Sequence, residues 1–217
     1  MIAKKAMGMI VASVLAVGLV GCGEDGKPAP TPMAMVRETH LAPEIPTAED
    51  TGVGILVNAE AAGIENLQFG NSTGYVELPA GDYMFGIAST GSTTTVLDVP
   101  ATLPAGGIFT VVAYRDAMAD VPVNVLLFDD SPAGLESGSG RVLVGHGADD
   151  TLLNPGTIVN TDDDTVIVED LAFGAIAGPL DLPAGSVNIG FDVTGDGMSE
   201  TPPLQAPITA DVVTTLI

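Results

Sequence analysis

The chain repeats itself. Residues 65–81, ENLQFGNSTGYVELPAG, match residues 169–185, EDLAFGAIAGPLDLPAG, without a gap. Upstream, ILVNAE (55–60) matches TIVNTD (157–162), and THLAPE (39–44) matches GHGADD (145–150), with small loop insertions between. A repeat of this kind constrains the fold strongly, because each copy must form a unit of roughly 100 residues, the size of a small β-domain. The expected division is residues 35–135 for the first copy and 136–217 for the second. Nothing in the second copy matches the strand pattern at 122–128, so it lacks the last strand of the first; either the chain is a fragment or that edge is unpaired.

Inside each copy the hydrophobic period is two. Tyr83, Phe85, Ile87 and Ser89 share one face, as do Val187, Ile189, Phe191 and Val193. Such alternation marks strands with one buried face. GIFTVVAY (107–114) is apolar on both faces and reads as a central strand, and PVNVLLF (122–128) as another central strand. No stretch after residue 35 has a capped helical period. The fold class is all-β: two tandem, Ig-like antiparallel β-sandwiches. The tetrapeptide LPAG stands at 78–81, 103–106 and 182–185. Proline second and glycine fourth suit a type I turn, so Pro79, Gly81, Pro104, Gly106, Pro183 and Gly185 are expected at a recurring corner of the sandwich, with Leu78, Leu103 and Leu182 pegging it to the core.

Charge narrows the partners. Twenty-eight acids face six lysines and arginines, giving a formal net charge of −22. Such a surface repels phosphate backbones, which argues against nucleic acid and anionic lipid surfaces.

The N-terminus reads as an address. MIAKKAMGMIVASVLAVGLVGC has a basic start at Lys4 and Lys5 and then an apolar run, the layout of a secretory signal. That run, about 15 residues, is short of the ~20 needed to cross a bilayer. It ends Leu19-Val20-Gly21-Cys22, which resembles a bacterial lipobox, and Cys22 is the sole cysteine. The resemblance implies that residues 1–21 are removed and Cys22 is acylated, giving a membrane anchor. Gly23 after the cysteine would favour the outer membrane in a Gram-negative cell. Residues 22–34, with their prolines, would form a flexible tether.

Taken in order, MVRETHLAPEIP (35–46), ENLQFG, LPAGDY, FTVVAYRDAM (109–118) and VLLFDDSPAGLESGSGRVLVGHGADD (125–150) resemble the bacterial domain of unknown function 4397, found in tandem copies in secreted and lipid-anchored proteins. The resemblance implies β-sandwich repeats and brings no catalytic residues. The second copy departs from the pattern, with HGADD where a proline-bearing HxxPD is expected.

Each copy serves as a control for the other when chemistry is sought. Gly70-Asn71-Ser72-Thr73-Gly74 fits the G-x-S-x-G of serine hydrolases, but Ile176 occupies the nucleophile position in the second copy, and strand patterns flank both. Asp192, Thr194 and Asp196, followed by Gly197, resemble the start of a calcium loop, although Pro203 stands where the closing acid belongs. The run Asp162, Asp163, Asp164, with Glu169 and Asp170 nearby, could gather a divalent cation or simply be a solvated loop. Asp129-Asp130 reads as a turn closing the first copy. His40 and His146 align; without further ligands beside them, each is expected to pack at the end of its first strand and bond a neighbouring loop. The function expected from these features is a non-catalytic, lipid-anchored envelope protein acting on an unknown protein or glycan partner. The alternatives are a calcium-dependent carbohydrate-binding sandwich and, less favoured, a hydrolase at Ser72.

Overall fold

A computed structural model describes residues 29–45, 51–148 and 153–217. The signal segment, Cys22 and most of the tether lie outside the described residues. Pro32–Ile217 forms one compact unit. The first repeat runs through β1 (Met33–Leu41), β2 (Val53–Val57), β3 (Glu60–Leu67), β4 (Val76–Pro79), β5 (Gly81–Ser89), β6 (Thr95–Leu103), β7 (Ile108–Arg115) and β8 (Val123–Asp129). The second runs through β9 (Ser139–Gly145), β10 (Gly156–Asn160), β11 (Thr165–Leu171), β12 (Ile176–Pro183), β13 (Gly185–Asp192), β14 (Leu204–Ile208) and β15 (Val213–Leu216). Among the described residues no helix is long and apolar enough to cross a membrane.

Four sheets result, and the fold is all-β. In the first repeat, β4-β1-β7-β8 packs against β3-β2-β5-β6; in the second, β12-β9-β15 packs against β11-β10-β13-β14. The connectivity is the same strand for strand as far as β7 and β15; β8, which lies at the edge of its sheet and not at its centre, has no counterpart. Most pairs are antiparallel, but β1 runs parallel to β7, and β9 parallel to β15. The expected antiparallel sandwiches are thus present, with one parallel pair in each. The intervening crossover is long, so nothing forces the first strand into a hairpin, and it is free to pair in parallel at the sheet centre.

Alternation places the cores. Ala34, Val36 and Phe109 from one sheet meet Phe85 and Leu103 from the other. Ala113 and Val123 meet Val53, Ile55 and Ile87 farther along the same sandwich. In the second sandwich, Val142 and Val144 meet Ile158, Ile189 and Ile208. Between the sandwiches lies a further core, in which Val112, Tyr114, Leu126 and Phe128 pack on Leu143, with Phe173 and Val213 beside them. The chain is therefore a stack of four sheets. This explains why β7 is apolar on both faces: one face serves its own sandwich and the other the second repeat. Gly145 belongs to this seam, since a Cβ there would stand 2.5 Å from the Phe128 ring.

LPAG sits where the chain passes from one sheet to the other. Leu78-Pro79 ends β4 and Gly81 opens β5; Leu182-Pro183 ends β12 and Gly185 opens β13. Both prolines are on edge strands, where the missing N–H leaves no ladder bond unmade. The expected type I turn is corrected. Two copies are one-residue corners. The other is a turn that begins at Pro104, closed by the Gly107 amide donating to the Pro104 carbonyl at 3.0 Å, with Gly106 at φ 75°. Positive φ at the third position makes it type II in kind, which is what glycine there permits. Leu103 is buried, and Leu78 and Leu182 pack against the cores of their own sandwiches.

Candidate functional site

Ser72 is held in a ladder. It forms a bridge with Thr39, and the two hydroxyls lie 2.7 Å apart. Gly70 donates its amide to the His40 carbonyl, and His40 donates to the Asn71 carbonyl. In the second repeat Gly174 donates to His146, and His146 donates to Ala175, the same pairing with no serine present. The G-x-S-x-G segment thus extends along β1 instead of turning sharply into a helix, and the His40 ring is engaged elsewhere.

The two histidines occupy matching places. His40 and His146 are buried, with Nε2 2.8 Å from the Thr51 carbonyl and 2.7 Å from the Leu153 carbonyl respectively. A carbonyl only accepts, so Nε2 carries the proton in each ring. The Ala42 amide approaches Nδ1 of His40 at 3.5 Å. Burial pushes the pKa of His40 below its ordinary value, against the opposing pull of the Thr51 and Ile45 carbonyls. Each imidazole meets the phenylalanine of its repeat edge-on: Phe69 at 6.4 Å and Phe173 at 6.1 Å. The difference lies outside. Phe69 is 48% exposed, whereas Phe173 is covered by Tyr114 at 5.3 Å.

The loop after β13 brings together Asp192, Asp196 and Glu200, whose carboxylate oxygens lie within 4.8 Å of one another. Glu200 was not legible as a member of this group, because the twelve-residue template directs attention to Pro203. Thr194 joins through its hydroxyl, which donates to Glu200 at 3.0 Å. The loop's own amides already use these oxygens. Thr194 and Gly195 donate to one oxygen of Asp192 and Gly197 to the other; Val193 donates to Glu200, and Met198 to Asp196. Desolvation raises the pKa of Asp192, but the amides of Gly197, Gly195, Thr194 and Asp196 outweigh it and hold the carboxyl below its usual range. The chemistry suits a hard cation, while the geometry closes without one.

Asp162, Asp163 and Asp164 do not gather with Glu169 and Asp170. They form the hairpin between β10 and β11, where Asn188 donates to Asp162 at 2.9 Å and the Thr165 hydroxyl donates to Asp163 at 2.7 Å. Glu169 and Asp170 lie at the far end of β11.

Asp130 does more than close a turn. It is buried at the seam, accepting from Tyr75 at 2.8 Å, from the Thr110 hydroxyl, and from Thr215 of β15 at 2.9 Å. Arg37 lies 3.7 Å from it, donates to Thr110 at 2.6 Å, and stacks its guanidinium 5.0 Å from the centre of the Tyr75 ring. Burial, then the hydrogen bond to Asp130, pushes the Tyr75 phenol up. Arg141 adds a second tie. It forks onto Asp181 at 2.7 and 2.9 Å and donates to the Ser131 and Ala133 carbonyls of the connecting segment.

Glu38 is the remaining buried acid of the first repeat. It faces inward from the middle of β1, and burial pushes its pKa up to about 8. In the second repeat the aligned residue is Val144, also buried.

These features define a two-sandwich, all-β protein with its polar groups concentrated at seams and corners. The family model for the domain of unknown function DUF4397 matches residues 34–152, which span the first repeat and the opening strand of the second, and the chain belongs to that family. No curated protein matches it. Among solved structures it is similar to a leucine-rich repeat protein from Bacteroides thetaiotaomicron (11% identity, TM-score 0.23, 85% of this chain and 26% of that one). It is also similar to the Bacillus anthracis TIE protein (11% identity, TM-score 0.24, 85% and 33%). The chain thus spans about a third or less of each of those structures.

Proposed function

We propose that this protein is a non-catalytic module of the bacterial envelope, anchored through lipid at Cys22, that presents a stiff two-sandwich body for binding, adhesion or scaffolding. The observation that supports this best is the seam. Two sandwiches joined by an apolar layer, by Asp130 reaching Thr215, and by Arg141 gripping the connecting segment make one body and not two beads on a string. Such a body holds a binding surface at a fixed orientation. The lipobox-like end of the leader and the proline-bearing tether would set it away from an outer membrane. The acidic surface fits a protein or glycan partner better than a nucleic acid.

Growth with a radiolabelled fatty acid tests the anchor. Label should appear in the wild type and vanish in Cys22→Ala; label retained in the variant rejects anchoring at Cys22. Protease treatment of intact cells then separates surface adhesion, where the body is cleaved, from a periplasmic scaffold, where it is protected. Labelling by a fluorophosphonate probe that is lost in Ser72→Ala would overturn the non-catalytic reading. The calcium-dependent reading draws on one observation, the position of Glu200 beside Asp192 and Asp196. Because the loop's amides already satisfy those oxygens, the thermal midpoint should be unchanged between calcium and chelator. A clear rise with calcium would favour that second reading.

A further inference from the structure

Among the described residues no fully buried side-chain nitrogen or oxygen lacks a hydrogen-bond partner, and the carboxyl of Glu38 is set apart because it opens onto a cleft. His40 and His146 bond loop carbonyls, Thr110 and Asp130 bond each other, and Asp192 collects amides. Glu38, 7% exposed, receives no hydrogen bond on its carboxyl among the described residues, and burial alone accounts for its raised pKa. A carboxylate set among apolar walls costs free energy unless water or a partner reaches it through the opening. The fold does not require it, since β9 makes the same strand with Val144.

The carboxyl faces open space. On one side is a cavity of about 30 Å³ deep in the sandwich, and on the other a cleft of about 100 Å³ between β3 and β4. The cleft is walled by Val36, Ala62, Ile64, Leu78 and Phe85, with Val76, 41% exposed, on edge strand β4. Apart from Glu38 its lining is apolar. In the deeper cavity the polar neighbours are Thr39 and His40, and His40 is tied to Thr51. The lining residues from β2, β3, β5, β6, β7 and β8 carry no charge.

We propose that this cleft binds a small primary aliphatic amine, its chain along Val36, Ile64 and Phe85 and its ammonium paired with the Glu38 carboxylate. An apolar wall with one acid at its floor matches an apolar chain with one cationic end. The net charge of −22 draws cations toward the protein. The cleft, of about 100 Å³, is larger than a single water needs and suits a short aliphatic chain. The inference concerns the first sandwich alone and does not depend on the anchor or on the scaffold role.

Proton balance follows. The amine arrives as ammonium, and Glu38, with its pKa at about 8, arrives protonated near neutrality. Pairing sends the carboxyl proton to the buffer, about one per amine at pH 7, so binding tightens as the pH rises toward 8 and levels off above it.

Calorimetric titration of the full chain in detergent with n-pentylamine, in two buffers of different ionisation enthalpy, tests this. The expected result is saturable binding with proton release, weakened about tenfold or more in Glu38→Gln. Ala62→Leu, which fills the cleft and leaves the carboxyl in place, should also abolish it. If n-pentylamine titrates either folded variant as it does the wild type, or if n-pentanol binds the wild type equally well, the proposal is overturned. Should Glu38→Gln fail to fold, Ala62→Leu decides.

Discussion

The first sandwich and the second are built on one connectivity and filled differently. Where β1 places Glu38, β9 places Val144; where Phe69 meets solvent, Phe173 meets Tyr114. One corner turns on Gly106 at φ 75°, and its counterpart turns on Asp211 at φ 62°. The second copy shows what the fold needs. Anything found only in the first is surplus to folding and calls for another reason. By that standard the histidines are architecture, and Glu38 is not.

Replacing Glu38 with Val makes the first interior like the second, and this should have the largest effect. The folded-state pKa, about 8, lies above the ordinary 4.5. Folding therefore favours the protonated acid. Its stability contribution is full below about pH 4.5, is lost as the pH rises through the interval, and is gone above about pH 8. The difference is about 4–5 kcal/mol. Urea unfolding of Glu38→Val should show a gain of that order at pH 8–9 and a much smaller one at pH 4. A gain that does not vary with pH would mean that the carboxyl is solvated.

The aromatic pair comes next. Phe173→Ala removes a ring packed at the seam and should cost about 3 kcal/mol, against about 1 kcal/mol for Phe69→Ala. Equal losses would show that the seam contributes little. The smallest effect belongs to the corner. Asp211→Gly should stabilise by about 0.5–1 kcal/mol, because glycine holds positive φ without strain, and Gly106→Ala should cost about 1 kcal/mol. Thermal midpoints of the two variants, moving in opposite directions, would check it.

The strands were legible because alternation and the repeat agreed: Tyr83, Phe85 and Ile87 share the inward side of β5, and Leu103 is buried at its corner. The seam was half legible. The two-faced apolarity of GIFTVVAY announces a second contact, but no local pattern says that the other repeat supplies it. Parallel pairing of β1 with β7 was hidden because register depends on contacts distant in sequence. Glu38 escaped notice because a charge between Arg37 and Thr39 looks like surface until strand phase is fixed by Ala34, Val36 and His40. Glu200 was missed because the loop is closed by its own amides and not by the spacing of a metal template.

The parallel pairing bears on how the chain comes into being. Met35 of β1 pairs with Ile108 of β7, and Arg141 of β9 with Val213 of β15. In each repeat the strand that enters the sheet first is made long before its parallel neighbour exists. Until then β1 has only the short β4 on one flank, over Met33–Val36. Loop closure over such distances is slow, and unpaired strands are sticky while they wait. The opening strand of each half thus waits on one flank for a partner made much later, and the emerging chain stays vulnerable until β7, and later β15, arrives.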